Sequence, residues 1–162
     1  MGKHTLEIQY DYDFVLIGIS SHEKDYRLCW ALNNKFGLEL IKVDSLEIKG
    51  KKQETPSFFS LFTYDHPENF LEYTVVANLS ESKSGSIMET DLFGSQIKAH
   101  SHNENEFLIP EHKQLNYFFV VKGEVDEQAA QQMVKKIKEI DLILTAIPID
   151  VSQLKSKHNL VF

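Results

Sequence analysis

Cysteine, arginine and tryptophan each occur once, as Cys29, Arg27 and Trp30. A lone cysteine excludes an internal disulfide, so packing must hold the fold, which suits a reducing cytosol. Arginine is the usual bidentate reader of phosphate and guanine. One arginine among 17 cationic residues, in a chain of net charge -7, therefore argues against a broad nucleic-acid surface. The same charge disfavours an anionic membrane surface. No apolar run approaches the roughly 20 residues that a membrane helix needs. The start, Met1 to Glu7, reads as having no secretory leader. Gly2 lacks the Ser or Thr that myristoylation wants four residues on, because Leu6 stands there. No P-loop, G-x-S-x-G elbow or G-x-G-x-x-G turn is present.

What is present is ordinary globular material. The apolar share is 42% and the charged share 25%, so neither disorder nor a fibrous class fits. Eleven Phe and six Tyr supply large rings for a core. The 162 residues suit one domain, 1–162, with an irregular polar connection around 80–106.

Periodicity gives the elements. Leu6, Ile8 and Tyr10 alternate like a half-exposed strand, and Phe14 to Ile19 is a continuous apolar run expected to be a buried strand. Ser20 with Glu23 reads as a capping box opening a helix to Phe36, with Gly37 as its stop. Its apolar stripe is Leu28, Cys29, Leu32 and Phe36, widened by Tyr26 and Trp30. Cys29 on that stripe reads as an inert buried thiol.

Leu38, Leu40 and Val43 begin a further strand, and a lysine-rich turn at Lys49 to Lys52 precedes a strand from Phe58 to Tyr64. Asp65, His66 and Pro67 make a turn before a strand from Phe70 to Leu79, with Tyr73, Val75 and Ala77 on one face. Leu115 to Val121 is the strongest strand, closed by Gly123. Asp126 or Glu127 opens a second helix to Ile140, with the stripe Ala130, Met133, Val134, Ile137 and Ile140. Leu142 to Ile149 is a last strand, and Pro148 places it near an edge. The terminal Leu160, Val161 and Phe162 should dock on the body. Short turns between strands imply antiparallel pairing. The expected fold is α+β, a two-layer sandwich in which two helices pack on one face of a mainly antiparallel sheet of about 5–7 strands.

The segment Ile109-Pro110-Glu111-His112-Lys113-Gln114-Leu115-Asn116-Tyr117 resembles the signature of the bacterial IPExxxVDY family. Ile-Pro-Glu and the closing Tyr match, while Leu115 replaces Val and Asn116 replaces Asp. LIGISSHEKDYRLCWALN and the tail LKSKHNLVF are similar to the same family, so the likeness spans nearly the whole chain. The resemblance implies no activity.

The motif residues Glu111, Asn116 and Tyr117 read first as structural. Pro110 stops a ladder, Glu111 and Asn116 can accept backbone N–H bonds, and Tyr117 packs in a strand with its hydroxyl at a rim. They are also candidate partner contacts. Gly94, His100, His102 and Glu106 copy the first half of a cupin metal motif, G-x5-H-x-H-x3-E, and imidazole with carboxylate suits Fe, Mn or Zn. Against a metal, Lys113 stands where that motif wants glycine, no second half follows, and the segment is polar on both faces.

Glu23 and Arg27 form an i,i+4 helix pair. Arg27, Tyr26 and Trp30 are alternatively a partner anchor, being residue types enriched at binding hot spots; Phe58 and Phe59 are further surface candidates. The leading expectation is a non-enzymatic cytosolic binding or adaptor domain that engages a protein partner without a cofactor, a homodimer being one form it could take. The alternatives are a cupin-like metal-dependent enzyme using His100, His102 and Glu106, separable by elemental analysis, and an RNA-associated accessory protein, separable by salt-dependent RNA binding.

Overall fold

The computed structural model describes residues 12–49, 55–81 and 105–162. The strand expected at Leu6 to Tyr10 lies outside these residues, as do the tip of the lysine-rich turn and most of the polar connection at 80–106.

Among the described residues, ten helices and strands follow in order: β1 (Phe14–Ser20), α1 (Asp25–Phe36), β2 (Ile41–Lys42), β3 (Leu46–Ile48), β4 (Ser57–Phe59), β5 (Leu61–Asp65), β6 (Glu72–Ala77), β7 (Tyr117–Lys122), α2 (Glu127–Lys138) and β8 (Thr145–Pro148). Short 3-10 turns occupy Pro110–His112, Val151–Gln153 and Lys157–Leu160. Six strands form one sheet in the order β2-β5-β6-β7-β1-β8, and every neighbour pairs antiparallel. β3 and β4 form a separate hairpin. The fold is the expected α+β arrangement.

Alternation along each strand sorts the side chains between two faces. Ile17, Ile19, Tyr73, Val75, Phe119 and Val121 meet Leu28, Cys29 and Leu32 of α1 and Val134 and Ile137 of α2. Both helices thus cover one face. The opposite face carries Leu16, Leu61, Val76, Phe118 and Val120. It is covered by Phe59, by Leu108, Ile109 and Leu115, and by Val151, Leu154 and Leu160. The β3–β4 hairpin and irregular chain do there what a second helical layer would otherwise do. This explains the unbroken apolar runs of β1 and β7, because a strand buried on both faces has no polar side.

The structure corrects several local readings. Ser20 and Glu23 form no capping box, and α1 starts later, at Asp25, after Lys24 with no side-chain cap. The Ser20 hydroxyl instead donates to Asn116 Oδ1 at 3.3 Å, so a tertiary acceptor outcompetes the local one. The run at Phe58 to Tyr64 breaks at Ser60 into β4 and β5. Tyr26 and Trp30 do not widen the buried stripe but face solvent. Phe59 is buried rather than on the surface, and Phe58 is half-buried.

Other readings hold. Gly37 ends α1 at φ 66°, a left-handed conformation that glycine adopts without strain. Asp126 caps α2 by accepting the Ala129 N–H at 2.7 Å. β8 is an outer strand. The Ile149 N–H bonds the Leu16 carbonyl at 2.9 Å, so the nitrogen of Pro148, one residue back, turns outward. A further strand would find no donor there. The other outer strand, β2, is only two residues long. Among the described residues, both edges of the sheet are therefore blunted.

Candidate functional site

α1 buries Leu28, Cys29, Ala31 and Leu32 and turns its other side outward. Trp30 is 66% exposed and Tyr26 58%, one helical turn apart on that outer side. Arg27 Nη1 lies 2.9 Å from Glu23 Oε2, the i,i+4 pair read from the sequence. Beside them runs an open groove of about 470 Å³ lined by Arg27, Trp30, Ala31 and Asn34 on one wall and Ile140 to Leu142 on the other. Lys35 closes one end by bonding Glu139 at 2.7 Å. Glu139 is held below the ordinary carboxylate range. The hydrogen bond from Lys35 and its charge come first, and the charges of Lys135 and Lys136 add to them. Of these three lysines, only Lys35 lines the groove. Sequence spacing showed the α1 residues but not the facing wall, which comes from a loop over one hundred positions away.

The motif residues sit elsewhere and are joined to other parts of the chain. Glu111 Oε1 accepts the Ser156 N–H at 2.8 Å. Desolvation is the largest single influence and works against its charge, but the backbone donors at Glu111, Ser156 and Lys155 and the Ser156 hydroxyl together outweigh it and hold its carboxyl down. Asn116 Oδ1 accepts the Ser21 N–H at 2.9 Å. The Tyr117 hydroxyl donates to the Glu23 carbonyl at 2.7 Å. Burial, then the charges of Asp25, Cys29 and Glu23, push this hydroxyl up to about 12. Asn159 Nδ2 donates to the Leu108 carbonyl at 2.8 Å. The motif therefore ties the β1–α1 turn to the C-terminal tail, so the three segments singled out in the sequence meet in space.

Asn78 was missed and is central to this arrangement. It is fully buried after β6. Its Nδ2 donates to the His112 and Leu115 carbonyls, each at 2.9 Å, and its Oδ1 accepts the Ile109 N–H at 2.8 Å. Its backbone N–H bonds the Asn116 carbonyl at 2.8 Å, and its carbonyl takes the Leu108 N–H at 2.8 Å. An Asn directly after the apolar run Tyr73 to Ala77 was the available signal, because a buried amide must find partners.

Of the metal candidates, only Glu106 falls among the described residues. His100 and His102 lie outside the described residues. Glu106 Oε2 accepts the Ser57 hydroxyl at 2.6 Å. Among the described residues, no group of three His, Cys, Asp or Glu side chains could hold a metal ion. Nor, among them, is any helix long and apolar enough to cross a membrane. Cys29 is buried, and burial followed by the Asp25 charge pushes its thiol up to about 12, which removes thiolate reactivity.

Comparison with protein-family models, curated proteins and solved structures found no match.

Proposed function

We propose that this chain is a non-catalytic binding domain of the cytosol whose α1 face engages a protein partner through Trp30, Tyr26 and Arg27. The observation that carries this reading is the placement of the sole tryptophan, 66% exposed, on the wall of an open groove. Exposing so large a ring forgoes burial worth about 2 kcal/mol. Trp, Tyr and Arg are the side chains that most often carry binding energy. Among the described residues both sheet edges are blunted, so a helix face is the natural place for contact. The three matching segments support placing the chain in the IPExxxVDY family. On this reading Glu111, Asn116 and Tyr117 hold the scaffold and do not touch the partner.

The test is affinity purification from the native cell with wild-type protein and Trp30→Ala in parallel. A protein retained by the wild type and lost from the variant, with unchanged circular dichroism, is the expected result. Recovery of the same proteins by both would overturn the assignment of the α1 face.

A further inference from the structure

We infer that the partner of the α1 face is a second copy of this chain, docked about a two-fold axis that passes beside Trp30 and sets the two α1 helices antiparallel. This rests on the binding reading above and names its occupant. The groove is lined by two cations, Arg27 and Lys35, and two carboxylates, Glu139 and Asp141, so its charge balances. A strongly acidic or basic segment would meet as many like charges as opposite ones there. A two-fold interface needs a different property, a patch that complements itself. The groove has it. Arg27 is paired with Glu23 on the side of Trp30 nearer the start of α1, and Lys35 with Glu139 on the other side.

At about 1.5 Å of rise per residue, Arg27 lies about 4.5 Å before Trp30 along α1, and Lys35 about 7.5 Å after it. Reversal about Trp30 brings Arg27 of one copy beside the Lys35–Glu139 pair of the other, and the same contact repeats at the far end. Neither pair has to open. Glu23 and Arg27 of one copy, then Glu139 and Lys35 of the second copy, alternate in sign. Trp30 meets its own counterpart at the axis, with Ile140 and Leu142 of the second copy to cover it. Leu144, two residues past that wall, is 61% exposed and widens the apolar patch. Among the described residues, the outer strands β8 and β2 offer a second copy no long open edge, so a shared sheet is the poorer alternative. Exposed ion pairs are weak, so Trp30 carries most of the affinity, and the dimer belongs to the weak class, with a Kd of roughly tens of micromolar.

The experiment is sedimentation equilibrium of the full chain over roughly 1–500 µM, a range that brackets a weak dimer. A monomer–dimer equilibrium is expected, with Trp30 emission red-shifted in the dilute monomer and moving to shorter wavelength as the dimer fills. Trp30→Ala should weaken the dimer by roughly tenfold or more, with unchanged circular dichroism. Arg27→Glu and Glu139→Lys should each weaken it by a similar factor, since each sets like charges face to face at both ends. An equimolar mixture of these two variants should regain the wild-type Kd, because both ends of the mixed dimer again pair opposite signs. Untagged copies of this chain should also be among the proteins that the affinity purification retains. A wild-type chain that stays monomeric throughout the range would overturn the inference; a different protein lost from Trp30→Ala would then keep the α1 reading, and none would sink both. A dimer indifferent to Trp30→Ala would place the interface elsewhere and overturn the inference. Weakening by both charge variants with no recovery in the mixture would overturn the two-fold register, and the inference with it.

Discussion

The hydroxyl of Tyr117 donates to the carbonyl of Glu23 across 2.7 Å, joining the first residue of β7 to the turn that launches α1. This bond links two segments 94 positions apart and anchors the turn before α1 through a carbonyl, while the N-cap residue Lys24 supplies no side-chain cap. The helix that carries Trp30 is thereby aimed by the strand that carries the motif.

Tyr117→Phe should destabilise the fold by about 1 kcal/mol, the usual net worth of such a hydrogen bond. Urea denaturation at neutral pH measures it. The pH dependence has a defined sign. Folding raises the Tyr117 hydroxyl from 10.0 to about 12 and the Cys29 thiol from 9.0 to about 12. Each contribution is complete below the unfolded value and is lost as pH rises through the folded one. Stability should therefore decline between about pH 9 and 12. Absorbance at alkaline pH should show a late tyrosine that Tyr117→Phe removes. A variant with an unchanged titration would refute the assignment.

Gly18→Ala should cost about 1–3 kcal/mol through overpacking. A Cβ there would fall 2.2 Å from Leu115 Cδ1 and 2.8 Å from Ile149 Cδ1. Adding Leu115→Ala should recover part of the loss, giving a measurable coupling in a double-mutant cycle. Strict additivity of the two changes would show that Leu115 does not press on β1.

Asn78→Ala should be the most damaging single polar change, at about 3–5 kcal/mol, because it leaves the Ile109 N–H and two carbonyls without their partner. Hydrogen exchange should show the 108–116 segment opening before the sheet. Thermal unfolding within a degree of wild type would contradict the central place given to this amide.

Trp30→Ala should move stability by no more than about 0.5 kcal/mol, since an exposed ring contributes little to the core. Emission of the wild-type tryptophan should be red-shifted and readily quenched by acrylamide. Unfolding of the variant, or a blue-shifted and protected native emission, would place Trp30 in the core and remove the proposed site.

Cys29 should resist a disulfide-exchange reagent in the folded protein and react fully in denaturant, because its thiol is both buried and protonated. Rapid labelling under native conditions would contradict its place on the sheet-facing side of α1.

Much of the fold was legible because burial leaves a period. The helical stripes at Leu28, Cys29 and Leu32 and at Val134 and Ile137 face the sheet as their spacing requires. Gly37, Gly123 and Asp126 marked ends by local backbone or capping chemistry. The failures share one cause. Ser20 met the requirements of a cap, and Tyr26 and Trp30 those of an apolar stripe, but each was decided by groups far away in sequence.

The sequence by itself determined the α+β class, the two amphipathic helices and the exclusion of a disulfide within this chain, because these follow from composition and from periods only a few residues long. Tertiary structure alone decided that Asn116 and Tyr117 clasp the β1–α1 turn, that Asn78 holds the intervening loop, and that Ile140 to Leu142 complete a groove beside Trp30. A hydrogen bond between residues dozens of positions apart depends on how layers stack, and no local pattern encodes that distance.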